Sequence, residues 1–298
     1  MADTHTPSTI VVGIDGSPSS ELALHWATAE AVRRQQPLTL VTAWTVDYTA
    51  GMMGTLVPVL VDECATLLDE AAQRVRAAAP ELPVTTHTVQ RQPAAALIEA
   101  SERAALVVVG ARGVGGLTAL LTGSTSMQVA AHAHCPVVVV RERPTHRTPG
   151  AVVVGLDGSE ASGLALRYAF ELAREHGLGV HAVHAWDVNL IDGTFAVTSV
   201  IASIDELEQE QRELVEKWTT ACREHFPDVK LTTELRPGRP GDALVDASDS
   251  AELLVVGSRG LGGFRGLLLG SVSRTVLHRA HCPVAVVRAH HSHRGVGS

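Results

Sequence analysis

Apolar residues along the chain fall into short β-branched runs separated by longer mixed stretches. In the first half the runs are Thr9–Ile14, Leu38–Trp44, Val84–Val89, Leu106–Gly110 and Val137–Arg141. They barely alternate, which is the pattern of parallel strands buried on both faces. The stretches between them read as helices over Ser19–Arg34, Val59–Ala79, Ala94–Arg103 and Ser124–Ala133. In the first of these, Leu22, Trp26, Ala29 and Val32 fall at helical spacing. The second half repeats the order, with strands near 151–156, 180–186, 229–235, 253–257 and 284–288. Five strands joined by four helical crossovers predict an open α/β sheet with helices on both faces, in each half.

The halves are copies. Ile10-Val11-Val12-Gly13-Ile14-Asp15-Gly16-Ser17 matches Val152-Val153-Val154-Gly155-Leu156-Asp157-Gly158-Ser159, and Val107–Val140 matches Leu254–Val287 at about 20 of 34 positions. A period of roughly 145 residues is too long for a solenoid and fits a duplicated domain. The expected units are residues 1–143 and 151–289, joined by a polar, proline-containing linker over 144–150, with a tail at 290–298. The longest stretches without periodicity, Thr45–Pro58 and Asp187–Ser199, read either as lids or as plain strand-to-helix connections.

Two segments per half have the character of a ligand site, because open α/β sheets bind ligands at the carboxyl ends of their strands. The first ends the first strand: Gly13 and Asp15, echoed by Gly155 and Asp157. Its plainer reading is a turn with Ser17 or Ser19 capping the next helix. The second is Gly110-Ala111-Arg112-Gly113, nine residues, then Gly123-Ser124-Thr125-Ser126. Its copy is Gly257-Ser258-Arg259-Gly260, nine residues, then Gly270-Ser271-Val272-Ser273. Glycines there admit positive φ and close approach of a ligand. The Gly-Ser opens a helix, whose free N–H groups and positive dipole end favour a polyphosphate. A flexible glycine loop with a serine cap is the plainer alternative, and identical spacing in both copies weighs against it.

Composition narrows the chemistry. The chain has 24 Lys+Arg against 32 Asp+Glu, a formal charge of −8, which argues against a general nucleic-acid-binding role. Only two of the basic residues are lysines, Lys217 and Lys230, and neither lies near a glycine loop, so neither cradle is a Walker-A motif. The first strand-to-helix turn also lacks the G-x-G-x-x-G of dinucleotide folds. No apolar run reaches the roughly 18 residues of a membrane helix. The first residues do not read as a secretory signal. Four cysteines without Cys-x-x-Cys fit neither a disulfide framework nor a zinc ribbon, and the expected compartment is the cytoplasm. Cys135 and Cys282, each before a proline, read as packing residues, and the histidines at 290–293 as a solvated end.

With these residues in view, the chain resembles the universal stress protein family in a tandem two-domain form. The resemblance rests on Val-Gly-x-Asp-Gly-Ser after the first strand and Gly-x2-Gly-x9-Gly-Ser after the fourth, each present twice. His132–Val137 and Arg279–Val284, which share Ala-His-Cys-Pro-Val, add to it. The resemblance implies strand order 3-2-1-4-5 in each of two sheets and the ATP-binding subgroup, with ATP bound with or without Mg2+ and about two adenine nucleotides per chain. It implies that Asp15 and Asp157 contact adenosine and that the backbone near Ala43 and Ala185 meets the adenine edge. Gly110, Arg112 and Gly113 then follow ribose and phosphates, with Gly123, Ser124 and Ser126 around the phosphates. The second-half counterparts are Gly257, Arg259, Gly260, Gly270, Ser271 and Ser273. The fifth strands should pair within the chain as a pseudo-dimer, and a homodimer of chains is a further possibility. The first half departs from the family pattern at Ala111, at Thr125-Ser126-Met127 and at Arg91, where the second half has Gly238. The implied function is an ATP-binding stress-response regulator with little or no catalysis. A slow metal-dependent ATPase and an interaction module with vestigial sites are the alternatives.

Overall fold

In the computed structural model the described residues are 9–45, 53–114, 122–142, 150–186, 197–261 and 268–289. The linker apart from Gly150, the tail and parts of both candidate lids (46–52 and 187–196) lie outside them. The first half runs β1 (Thr9–Gly13), α1 (Pro18–Arg34), β2 (Leu38–Trp44), α2 (Met53–Ala78), β3 (Val84–Gln90), α3 (Pro93–Ala100), β4 (Ala104–Gly110), α4 (Ser124–His132) and β5 (Val137–Val140). The second runs β6 (Val152–Leu156), α5 (Glu160–His176), β7 (Val180–Trp186), α6 (Val197–His225), β8 (Leu231–Pro237), α7 (Pro240–Ala247), β9 (Leu253–Gly257), α8 (Ser271–Arg279) and β10 (Val284–Val287).

Each half has the parallel order 3-2-1-4-5, but the two sheets are not separate. They join into one ten-stranded sheet, β3-β2-β1-β4-β5-β10-β9-β6-β7-β8. The join is antiparallel, with Val284 opposite Val139, Ala285 opposite Val138 and Val286 opposite Val137. Strands that would be bare edges in each half thus become the centre of the sheet, and all of β5 and β10 is buried. The remaining edges are β3 and β8. These depart from the expectation of strands buried on both faces: Thr85–Thr88 are exposed, as a sheet edge with polar side chains should be.

Two apolar layers sandwich the sheet. One side packs α1, α2, α5 and α6 on residues such as Val12, Leu40, Val108, Val154 and Ala285. The other packs α3, α4, α7 and α8 on Val11, Val107, Val137, Val256 and Val286. Both layers run through both halves, so the chain folds around one continuous sheet. The helix read from Leu22, Trp26, Ala29 and Val32 is present, but these residues do not mark its buried face: Leu22 and Val32 are exposed. The buried face is instead Ser20, Ala23, Leu24, Ala27, Thr28 and Ala31. Small residues let this helix lie close to the sheet, so the buried stripe carries little hydrophobic signal. Helix α2 also begins before the expected Val59, running through Pro58 from Met53.

The halves meet through polar contacts as well. Glu30 on α1, 1% exposed, receives Arg33 and Arg34 at 2.7 Å each and His176 of α5 at 2.9 Å. Arg34 also reaches Glu175 at 3.2 Å and the Tyr168 hydroxyl at 3.4 Å. Burial raises the Glu30 carboxyl, but the His176 hydrogen bond and the two guanidinium groups outweigh it and hold it below its ordinary value. Burial pushes the Tyr168 hydroxyl up to about 12, so it remains a neutral partner for Arg34. On the other side of the sheet Arg141 donates to the carbonyls of Ala280 and Leu277, near the end of α8. There its charge also suits the helix dipole.

Candidate nucleotide sites

Beside each β1–α1-type turn lies a cavity at the carboxyl ends of the central strands of its half. The first is about 480 Å3 and the second about 500 Å3, within the usual range for a small-molecule site. Every residue singled out from the first half lines the first cavity: Gly13, Asp15, Ala43, Gly110, Arg112, Gly113, Gly123, Ser124, Thr125 and Ser126. The same holds in the second cavity for Gly155, Asp157, Ala185, Gly257, Arg259, Gly260, Gly270, Ser271, Val272 and Ser273. Residues far apart in sequence converge because β1 and β4 are neighbours, as are β6 and β9, and the winding reverses between them.

The turn after β1 is built by its own side chains. Gly16 and Gly158 take φ of +79°, which glycine adopts without strain. Asp15 Oδ1 accepts the Ser17 N–H at 3.0 Å, and Asp157 Oδ1 accepts that of Ser159 at 3.0 Å. Ser17, not Ser19, caps α1 by accepting the Ser20 N–H at 3.1 Å. The second carboxylate oxygen reaches across to the glycine loop. Asp15 Oδ2 accepts the Val114 N–H at 3.3 Å, and Asp157 Oδ2 accepts the Leu261 N–H at 3.0 Å. Each aspartate therefore completes its own turn and also latches the loop that follows β4 or β9.

The cradle glycines serve close approach, not left-handed backbone, since positive φ among the described glycines occurs only at 16, 158, 177 and 238. A Cβ on Gly110 would come within 2.6 Å of the Ser19 backbone, and one on Gly257 within 2.8 Å of the Ala161 backbone. A Cβ on Gly113 would meet Asp15 Oδ2 at 2.6 Å, and one on Gly260 would collide with Asp157 Oδ2. Gly123 and Gly270 differ. A Cβ there meets no described protein atom closer than 3.5 Å, so the described residues around it do not themselves require glycine.

Those two glycines are the N-caps of α4 and α8, and neither helix has a side-chain cap. The first-turn N–H groups of Ser124, Thr125 and Ser126, and of Ser271, Val272 and Ser273, therefore border the cavities without one. The serine expectations separate here. Ser124 and Ser271 are exposed. Ser126 and Ser273 are buried, and their hydroxyls donate to Ala111 and Gly123 oxygens and to Ser258 and Gly270 oxygens, between 3.0 and 3.3 Å. They fasten the helix start to the end of the strand.

Sequence reasoning missed the apolar part of each cavity's lining, which includes Val41, Pro93 and Leu97 in the first half. Val183, Pro240 and Leu244 belong to it in the second. Buried aliphatics on a strand read as core, and only the prolines opening α3 and α7 hinted at a site. It also missed Arg274, which lines the second cavity. Cys135 sits away from both sites; burial pushes its thiol up to about 12, consistent with a packing role. Among the described residues no helix is long and apolar enough to cross a membrane, and no cluster of three or more His, Cys, Asp or Glu could hold a metal ion.

The universal stress protein family model matches this chain twice, over residues 7–141 and 150–288. A universal stress protein of Mycobacterium tuberculosis is 36% identical over 300 residues, covering 97% of this chain and 99% of its own length. One from Mycolicibacterium smegmatis is 36% identical over 297 residues, with the same coverages. Among solved structures, a universal stress protein from Archaeoglobus fulgidus superposes with a TM-score of 0.71 at 20% identity, covering 95% of this chain and 99% of that one.

Proposed function

The chain belongs to the universal stress protein family in its tandem form, and from that premise we propose that each half, 1–143 and 151–289, binds one adenine nucleotide. We take the nucleotide to be ATP, with or without Mg2+, and the protein to be a nucleotide-dependent stress-response switch with little or no catalysis. The observation that carries this reading is at Gly123 and Gly270. The described residues around them leave room for a side chain at both, yet both are glycine at the uncapped start of a helix facing a cavity. A phosphate approaching the helix backbone supplies the missing reason.

In this reading the base lies against the apolar lining beside Ala43 or Ala185. The sugar lies near Asp15 or Asp157, and the phosphates face the first turn of α4 or α8, with Arg112 or Arg259 nearby. Slight or absent hydrolysis is supported by the state of the aspartates. Each accepts two backbone N–H bonds, which holds it as a fixed acceptor rather than a free base. The test is thermal unfolding with and without ATP. Saturating ATP should raise the Tm of the native chain, as any ligand selective for the folded state does. The double variant Gly123→Glu/Gly270→Glu should fold and lose that rise. A rise of the same size in the double variant would refute the proposal. Turnover is checked by comparing phosphate release from the native chain with that from Asp15→Ala/Asp157→Ala. A metal-stimulated rate that the double variant abolishes would favour the ATPase alternative.

A further inference from the structure

We infer that the two sites differ in how strongly they favour added phosphates. Both take an adenine nucleotide, and the second gains more affinity from each further phosphate than the first does. This rests on the nucleotide reading above and concerns only how the two sites divide it. The cavities are nearly equal in size, and both have a glycine cradle and one aspartate. What separates them is fixed charge.

Arg112 and Arg259 occupy equivalent places and cancel in the comparison. Arg274, in the first turn of α8, lines the second cavity. Its counterpart in the first half is Met127, which packs against the apolar layer under α3 and α4 and does not line the first cavity. Arg91 does not replace the missing cation, because it is paired with Glu99 at 2.6 Å. Among the described residues no carboxylate pairs with Arg274, whereas Arg279, one and a half turns on, is tied to Asp242 at 2.5 Å. Among the described residues, the charged side chains lining the first cavity therefore balance, Arg112 against Asp15. The described charged side chains lining the second leave one positive charge, Arg259 and Arg274 against Asp157. A guanidinium beside a helix start adds charge-assisted donors for phosphate oxygens, and its pull grows with the number of phosphates.

The experiment is calorimetric titration of the full chain with AMP and with ATP, one site at a time. Gly123→Glu leaves the second site to be read, and Gly270→Glu the first. The ratio of ATP to AMP affinity should be about tenfold higher at the second site, the lower end for one hydrogen bond to a charged group. Arg274→Gln should lower the second-site ratio to that of the first, and Met127→Arg should raise the first. Arg274 is exposed, so its substitution spares the core, and Arg274→Gln in the otherwise native chain provides a second reading. There ATP affinity should fall at one of two sites while AMP affinity holds at both. Equal ratios at the two sites, or a second-site ratio unmoved by Arg274→Gln, would overturn the inference while leaving the nucleotide reading intact. Absence of binding of either nucleotide to the native chain would refute that reading, and this inference with it.

Discussion

Replacing Glu30 with alanine should cost the protein about 3 kcal/mol of stability. The carboxylate is buried at the junction of the halves and holds Arg33, Arg34 and His176 within 2.9 Å. Removing one partner of a buried ionic group typically costs about 3–5 kcal/mol, because the remaining charge is left without compensation. Here the lower end applies. Arg33 is partly exposed, and Arg34 keeps Glu175 at 3.2 Å and Tyr168 at 3.4 Å. Urea unfolding followed by circular dichroism reads the loss. With a slope of about 3 kcal/mol/M, the midpoint should fall by about 1 M. The pH dependence adds a second check. The folded Glu30 carboxyl lies below its ordinary value of 4.5. Its contribution is therefore complete above that value and disappears as pH falls through the lower folded pKa. The gap between native and variant stability should be full at pH 7 and close in acid. A His176→Ala change should cost less in the Glu30→Ala background than in the native chain. A Glu30→Ala midpoint within the error of the native one, or a gap that widens in acid, would refute the reasoning.

Proline at Val138 or Val286 should destabilise by about 1–3 kcal/mol, because it removes a ladder donor and leaves a buried carbonyl unpaired in strands at the join of the sheet; unchanged urea midpoints would count against that join. Gly260→Ala should lower hydrogen-exchange protection of the Leu261 N–H in the ligand-free protein more than Gly270→Ala does. The added methyl would collide with Asp157 and release the Leu261 latch, whereas Gly270 has room. Equal protection in the two variants would show that the aspartate does not hold the loop. Ser271→Ala should leave the fold intact, since Ser271 is exposed. Ser273→Ala should lower stability by about 1 kcal/mol, because its buried hydroxyl bridges Ser258 and Gly270. Thermal unfolding of the two variants without ligand separates these roles, and a reversed order would contradict them.

The duplication made much of this legible. Glycines at identical spacing in two copies cannot be explained by helix starts alone, and all of them reached the cavities. Apolar strands with helical crossovers also led directly to the α/β sheet. Other features were hidden for physical reasons. The buried face of α1 is mostly alanine, serine and threonine, whose weak hydrophobic signal loses to exposed Leu22 and Val32. The latch between Asp15 and Val114 spans 99 positions, and no local pattern marks its acceptor. Val41 and Leu97 look like core because they are core on one side and cavity wall on the other. The Glu30 cluster is asymmetric, since Leu172 stands at the equivalent place in the second half, so comparing the repeats does not reveal it. The same asymmetry concealed Arg274.

The claim that each half holds an adenine nucleotide is tested most directly by counting. Calorimetric titration of the full native chain with ATP should give a stoichiometry near two. That value should fall to one in Gly123→Glu and to one in Gly270→Glu. A stoichiometry of zero, or of two in all three proteins, would contradict the account.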